Sequence, residues 1–295
     1  MIVIVQPAGQ LGNRLILFAH LIAFAREHRL KLVNLAFEEY APLFPATQAD
    51  LFCRYPPTRS LLRPNPKRRH WLRRLGMRLL REAEAGRLPF VSACRLPDDT
   101  SFSLDTAFAK MARRRVVLVG GWLIRRPQGL TEEAPAVRDY FRPLPSVENK
   151  VKQTIQSARA GHDLLIGVHL RGGDYRNYAG GRYFYTTAQY ASFLTQATAL
   201  FAPRRPAFLL CSNEPQDAEA FARFSVTFGA GDLIEDLYAL AACDYLIGPP
   251  STFTVWASFY GSVPLCHVYD PATALTPESF HLRQPWGRLF GSEAV

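Results

Sequence analysis

The chain has 295 residues and a formal net charge of +10, with 48% hydrophobic, 20% charged and 12% aromatic residues. That composition excludes the polar, highly charged class of disordered chains, and the length suits two domains of ordinary size. The longest apolar run, LILFAHLIAFA at 15–25, is interrupted by His20 and stopped by Arg26, too short to span a bilayer.

A first strand is predicted at IVIVQ (2–6), which lacks the basic flank and long apolar core of a signal peptide, so residence in the cytoplasm is expected. A helix follows with Leu11, Leu15, Phe18, Ile22 and Ala25 on one face, then a strand at 31–37. From Arg54 to Arg87 the chain carries eleven Lys or Arg against two Glu, a charge of +9. There Trp71, Leu72, Leu75, Met77, Leu79 and Leu80 mix with arginines at helical spacing, which predicts a basic amphipathic helix behind a Pro-rich loop. A solvated helix, contact with an anionic membrane through residues 63–87 and contact with a phosphorylated acceptor are all open readings. No groove-reading or RNA-binding motif accompanies the charge, so no nucleic-acid partner is expected.

A strand at 116–122 comes next, and Pro127, Pro135, Pro143 and Pro145 punctuate what looks like an interdomain connection. Ser146 is expected to cap a helix over 147–158. The two domains expected are 1–145 and 146–295. In the second, strands at 164–171, 207–212, 245–248 and 264–269 alternate with helices at 187–201, 214–224, 235–243 and from 251 onward. That βαβ alternation predicts a doubly wound α/β domain, whose ligands sit beyond the carboxyl ends of its strands. Cys53, Cys94, Cys211, Cys243 and Cys266 form no C-x-x-C pair, and neither D-x-D nor H-E-x-x-H occurs, so neither a metal site nor a cofactor is expected.

Four loops carry candidate chemistry. In LLIGVHLRGGDY (164–175) strand alternation puts His169 and Arg171 on one side. An arginine fork beside two glycines suits a diphosphate, while Asp174 is placed either to brace Arg171 or to bind a ligand. The glycine-rich turn PAGQLGNRL (7–15), with Gly12 and Asn13, resembles a phosphate-binding turn, yet fits neither G-x-G-x-x-G nor the P-loop. Asn13 is either a helix N-cap or a polar group facing the site, and Arg14 serves either solvent or an anion. In GPPSTFTVW (248–256), Ser251, Thr252 and Phe253 open a helix whose amides favour an anion. Glu235 and Asp236 either favour their helix's N-terminus or accept from a purine edge. The loop with Ser212, Asn213 and Glu214 is a weaker signal for contact with the same ligand.

Together these pieces resemble the GDP-fucose-dependent fucosyltransferases, above all the bacterial α-1,2 group and more loosely the α-1,6 and protein O-fucosyltransferases. GQLGNRLILFAHLIAFA is similar to that group's G-G-L-G-N-Q opening and HLRGGDY to its H-x-R-R-G-D-Y motif. Asp236, Asp244 and Ser251 reproduce a third spacing; residues 40–115 match nothing. The resemblance implies a GT-B architecture, two Rossmann-like domains facing across a cleft. It also implies metal-independent transfer with inversion from GDP-fucose to a glycan hydroxyl. Arg171 would hold the β-phosphate, His169 and Asp236 the guanosine end, and Ser251 and Thr252 the phosphate oxygens. Asn13 would lie beside sugar and acceptor. The motif's second arginine is Gly172 here, its first-loop glutamine is Arg14, and its Asp-Asp pair is Asn213-Glu214. The carboxylate base of the α-1,6 relatives falls near Ala179, so the base is unassigned, with Asp174 a candidate. A transferase of another nucleotide sugar and a non-catalytic nucleotide- or glycan-binding protein stay open as alternatives.

Overall fold

A computed structural model describes residues 1–97 and 100–282. The chain divides into two compact units, Met1–Leu144 and Pro145–Val295.

In unit 1, the elements in chain order are β1 (Ile2–Ile4), α1 (Leu11–Glu27), β2 (Leu32–Asn34), α2 (Pro45–Gln48) and α3 (Pro66–Glu84). They continue with β3 (Val91–Arg95), β4 (Phe102–Ser103), α4 (Thr106–Arg114), β5 (Val116–Gly120), β6 (Ile124–Arg125), α5 (Pro127–Glu132) and α6 (Ala134–Tyr140). Four parallel strands form a sheet in the order β2-β1-β5-β3, and β4 pairs with β6 apart from it. The β-branched run of β1 is buried on both faces, as central parallel strands require. α1 differs from its expected one-sided pattern: nearly every residue from Leu11 to Ala25 is buried. The cause lies at 127–140, where the predicted connection instead folds as α5 and α6 against α1. Phe18 of α1 meets Phe37, Tyr140 and Phe141 edge-on, with centroids 5.3 to 5.5 Å apart.

α3 is the expected basic helix. Asn65 caps it, its Oδ1 accepting from the Arg68 amide at 2.8 Å. On its inner face Arg69 Nη2 donates to the carbonyls of Thr47, Gln48 and Asp50 at 2.8, 3.0 and 3.0 Å. Gly76 sits so close to β1 that an added Cβ would lie 2.8 Å from Val5 Cγ1. Leu80 completes the anchor in a cluster with Val3, Val5 and Leu118.

Unit 2 runs α7 (Pro145–Arg159), β7 (Leu164–Leu170), α8 (Thr187–Leu200), β8 (Pro206–Ser212), β9 (Val226–Phe228), α9 (Leu233–Leu240), β10 (Tyr245–Gly248), α10 (Thr252–Gly261), β11 (Pro264–His267) and β12 (His281–Leu282). Its six strands lie in the order β12-β11-β10-β7-β8-β9, parallel except for β12. Leu164, Ile166, Val168 and Leu170 pack with Tyr190, Phe193, Leu194 and Ala197 of α8. Alternation turns Leu165, Gly167 and His169 to the other face. There a Cβ on Gly167 would come 2.8 Å from Leu240 of α9. From β7 the chain first builds outward through β8 and β9, then returns to β10 on β7's other side. Strand order therefore reverses between β7 and β10, the place where open α/β sheets hold ligands.

Several expected elements are different. Over 214–224 only Glu219–Phe221 is helical, as a single 3-10 turn. Ser212 Oγ accepts from the Glu214 amide and Gln216 Nε2, and Asp217 Oδ1 from the Glu219 amide; such local bonds compete with helix. The strand predicted at 31–37 ends at Asn34 in a 3-10 turn, Leu35–Phe37. The strand at 116–122 stops at Gly120, because Gly121 adopts φ +94°. Pro145 opens α7, which puts Ser146 inside the helix rather than at its cap. β3 has no counterpart among the strands the sequence predicts. Among the described residues no helix is long and apolar enough to cross a membrane.

Candidate functional site

The switch between β7 and β10 collects most of the candidate residues of unit 2. Directly after β7, Arg171 Nη2 donates to Asp174 Oδ1 at 2.8 Å. Its guanidinium carbon stands 4.9 Å from the Tyr175 ring centroid, within cation–π range. The Arg171 side chain is largely enclosed whereas that of Asp174 is exposed, and of the two readings of Asp174 the structure displays the brace.

At the end of β10, Ser251 is the N-cap of α10, its hydroxyl accepting from the Phe253 amide at 3.2 Å. Thr252 is the first residue of that helix. The first-turn amides and the helix dipole make this end favourable for an anion. Tyr175 joins the two loops: its hydroxyl donates to the Pro250 carbonyl at 2.7 Å, two residues after Gly248 ends β10. Arg171 and the Ser251 cap are therefore held in one neighbourhood through a phenol that stacks on one and hydrogen-bonds beside the other. Sequence reasoning missed Tyr175, though it stands inside the HLRGGDY motif.

His169 is 4% exposed, and its ring faces that of Phe253 at 5.1 Å. Burial, reinforced by the Arg171 cation, pushes its pKa down to about 3, so the imidazole is neutral. Among the described residues its Nδ1 has no hydrogen-bond partner. A neutral, buried imidazole with an unused nitrogen is equipped to hydrogen-bond a ligand.

The β8 loop turns inward to its neighbour. Asn213 Oδ1 accepts from the Gly172 amide at 2.9 Å, and Glu214 Oε1 from the Gly173 amide at 2.8 Å. Glu214 Oε2 also takes Arg176 Nη2 at 2.6 Å. Any Cβ on Gly172 would run into the Glu214 carboxylate, so the glycine in place of the motif's second arginine is matched by a glutamate that fills its space. Ser212 serves the same loop through Glu214 and Gln216.

Asp236 lies in the first turn of α9, capped by Asp232. Though only 6% exposed, it accepts from the main chain at Ala230 and Gly231, while burial raises its pKa to about 6. Its Oδ1 abuts Gly229, where an added Cβ would sit 2.5 Å away, and among the described residues that oxygen has no hydrogen-bond partner. Asp244, by contrast, is engaged within the unit, paired with Arg159 at 2.7 and 3.1 Å and accepting from the Leu165 amide.

In unit 1, the corresponding reversal of strand order falls between β1 and β5, and the turn with Gly12 and Asn13 follows β1. α1 starts at Leu11 with Gln10 at the N-cap position. Asn13 is thus inside the helix and the N-cap reading of it does not hold. Its side chain presses on Gly9, where φ is +59° and no Cβ fits. Arg14 is engaged by protein groups: it donates to the Gly9 and Ala36 carbonyls at 3.1 and 3.2 Å, pairs with Glu39 at 3.1 Å and covers Tyr40. Among the described residues no group of three His, Cys, Asp or Glu is placed to hold a metal.

No family model matches the chain, and no curated protein does. Solved structures do. A mutant of Arabidopsis thaliana FUT1 in complex with GDP aligns with a TM-score of 0.60 at 16% identity, covering 95% of this chain and 73% of its own. The fucosyltransferase NodZ from Bradyrhizobium aligns at 0.53 and 16%, covering 90% of this chain and 94% of its own. POFUT1 in complex with GDP-fucose aligns at 0.52 and 11%, with 89% and 94% covered. At such identities the likeness carries the fold: this chain shares the Rossmann-like α/β fold of fucosyltransferase structures.

Proposed function

We propose that the chain is a glycosyltransferase that moves fucose from GDP-fucose to a glycan hydroxyl, with inversion and in the α-1,2 manner of the group its motifs resemble. The observation that supports this best is the Tyr175–Pro250 bond, which brings a mostly enclosed arginine and a helix N-terminus to one strand-order reversal. A diphosphate leaving group is the chemistry that such a pair serves. As the bond from the sugar carbon to the diphosphate breaks, the electron pair passes to a β-phosphate oxygen, and fixed cations and amide dipoles stabilise that charge without reorganising.

In this reading unit 2 holds the donor: Arg171 grips the β-phosphate, and Ser251, Thr252 and the amides of α10 meet the phosphate oxygens. Neutral His169, with Phe253 against it, and Asp236 meet the guanosine end. In unit 1, Gly12 is assigned to the donor and Asn13 to the transferred sugar and the acceptor. Ser212, Asn213 and Glu214 meet the donor as well and fix the loop that carries Arg171. The charge on the leaving group is assigned to these groups rather than to a metal. The proton released by the attacking hydroxyl needs an acceptor, and Asp174, already bonded to Arg171, is a candidate of limited capacity. A dissociative path that asks little of a base fits this arrangement. Residence in the cytoplasm belongs to the same proposal.

Donor choice is tested by thermal shift with a panel of nucleotide sugars: GDP-fucose raises the melting temperature and UDP-sugars leave it unchanged. Turnover of GDP-fucose is then followed as GDP release and as fucose transfer. Arg171→Ala lowers it by about 10²–10³. Binding of GDP without turnover in the native chain refutes the enzyme and leaves a nucleotide-binding protein of the same fold.

A further inference from the structure

We infer that the outer face of α3 docks the protein on a membrane surface rich in anionic headgroups. Three observations within unit 1 carry this. First, the helix is fixed from behind by Arg69, Gly76 and Leu80 and by the pairing of Arg73 with Glu38 at 2.5 Å, so what it presents outward is a rigid feature of the fold. Second, that outward face is apolar where solvent would select polar residues. Trp71 is 61% exposed, Leu75 37% and Leu79 38%. Spaced four apart, they form a ridge along one side of the helix about 12 Å long. Leu61 and Leu62, in the loop leading to the helix, are exposed as well, and that loop is held to the helix by Arg68, which donates to the Arg63 carbonyl at 2.9 Å.

Third, the ridge is flanked by cations that the protein leaves unneutralised. Lys67, Arg74, Arg78 and Arg81 are exposed, and among the described residues no carboxylate pairs with any of them. The acids nearby are taken by other partners: Glu38 by Arg73, Glu82 by Arg87 and Glu84 by Arg95. An aromatic and two leucines within a field of arginines match an interfacial helix, whose apolar side enters the headgroup boundary while its cations meet lipid phosphates. A nucleic acid would meet the cations but would have no use for the leucines, and a protein partner would not require so uniform a charge.

The test uses the full chain and vesicles of phosphatidylcholine with or without about one-third phosphatidylglycerol. Co-sedimentation is expected with the anionic vesicles alone, weakening as salt rises toward about 0.5 M. Tryptophan fluorescence should shift to the blue on binding, and Trp71→Phe should remove the shift, which assigns it to Trp71 among the four tryptophans of the chain. Arg74→Glu/Arg78→Glu lowers binding by at least about tenfold. Trp71→Ser/Leu75→Ser/Leu79→Ser, which leaves charge unchanged, lowers it by a similar factor. Unaltered circular dichroism melts show that both variants stay folded. Equal binding to zwitterionic vesicles, or retention of binding by either variant, overturns the inference. Capture by heparin or duplex DNA without capture by vesicles overturns it too, in favour of a polyanion site.

Discussion

The hydroxyl of Tyr175 donates to the main-chain carbonyl of Pro250 at 2.7 Å, and the same ring lies under the guanidinium of Arg171. One side chain thereby sets the distance between a cation after β7 and the helix start after β10. Tyr175→Phe keeps the ring and removes the bond, leaving the Pro250 carbonyl short of a donor at a cost of about 1–3 kcal/mol. Chemical denaturation should record that loss, and calorimetry should show GDP binding weakened by about three- to tenfold. If GDP affinity stays at the native level, Tyr175 is not what aligns the two loops.

Gly172 and Glu214 occupy complementary space. Gly172→Ala drives a methyl into the Glu214 carboxylate and is expected to destabilise by about 1–3 kcal/mol. The double variant Gly172→Ala/Glu214→Ala removes the clash but also the acceptor for the Gly173 amide and Arg176, so its loss is smaller than the sum of the two single losses. A double-mutant cycle on unfolding free energies measures this coupling; strict additivity would refute the fit.

Asp236 has its folded pKa raised to about 6 by burial, against about 3.9 when unfolded. The folded state holds the proton longer, so the contribution of Asp236 to stability is full below pH 4, is lost as pH rises through 6, and is level above that. Asp236→Asn escapes this cost and should be more stable by about 1–2 kcal/mol at pH 7.5, with no difference near pH 4. If the carboxylate meets the purine edge, the same variant binds GDP more weakly while melting higher. That opposition between stability and affinity separates a binding role from a packing role.

His169 titrates in the opposite sense. Its folded pKa is pushed down to about 3 while the unfolded chain takes up the proton near 6.5. Its contribution is fully present above pH 6.5 and is lost as the solution is acidified. At pH 5 the native chain should have lost about 2 kcal/mol more than His169→Gln does over the same range. The imidazole resonance of His169 should not move between pH 5 and 8; a midpoint near 6.5 would mean that the ring is solvated.

The doubly wound pattern of unit 2 was legible because β7, β8 and β10 are apolar runs bounded by turn residues, and a strand buried on both faces leaves that mark. Arg171 and His169 were placed on one side by period alone, and Ser251 by its residue type before an apolar run. β3 escaped because VSACR is only half-buried along its length and lies in a segment dominated by arginines. The 214–224 segment looked helical by composition, yet side-chain bonds at Ser212 and Asp217 decided it locally. The role of Glu214 could not be read at all, since its partners Gly173 and Arg176 are 41 and 38 residues away. Nor could the position of Asn13 inside α1, because Gln10 has no stronger claim on the cap by residue type.

The bond between Tyr175 and Pro250 spans 75 residues of chain, and β10, which pairs directly with β7, comes later in the chain than β8 and β9 on β7's far side. During synthesis, therefore, an emerging polypeptide lacks the link between the Arg171 loop and the start of α10 until the segment around Ser251 has been made.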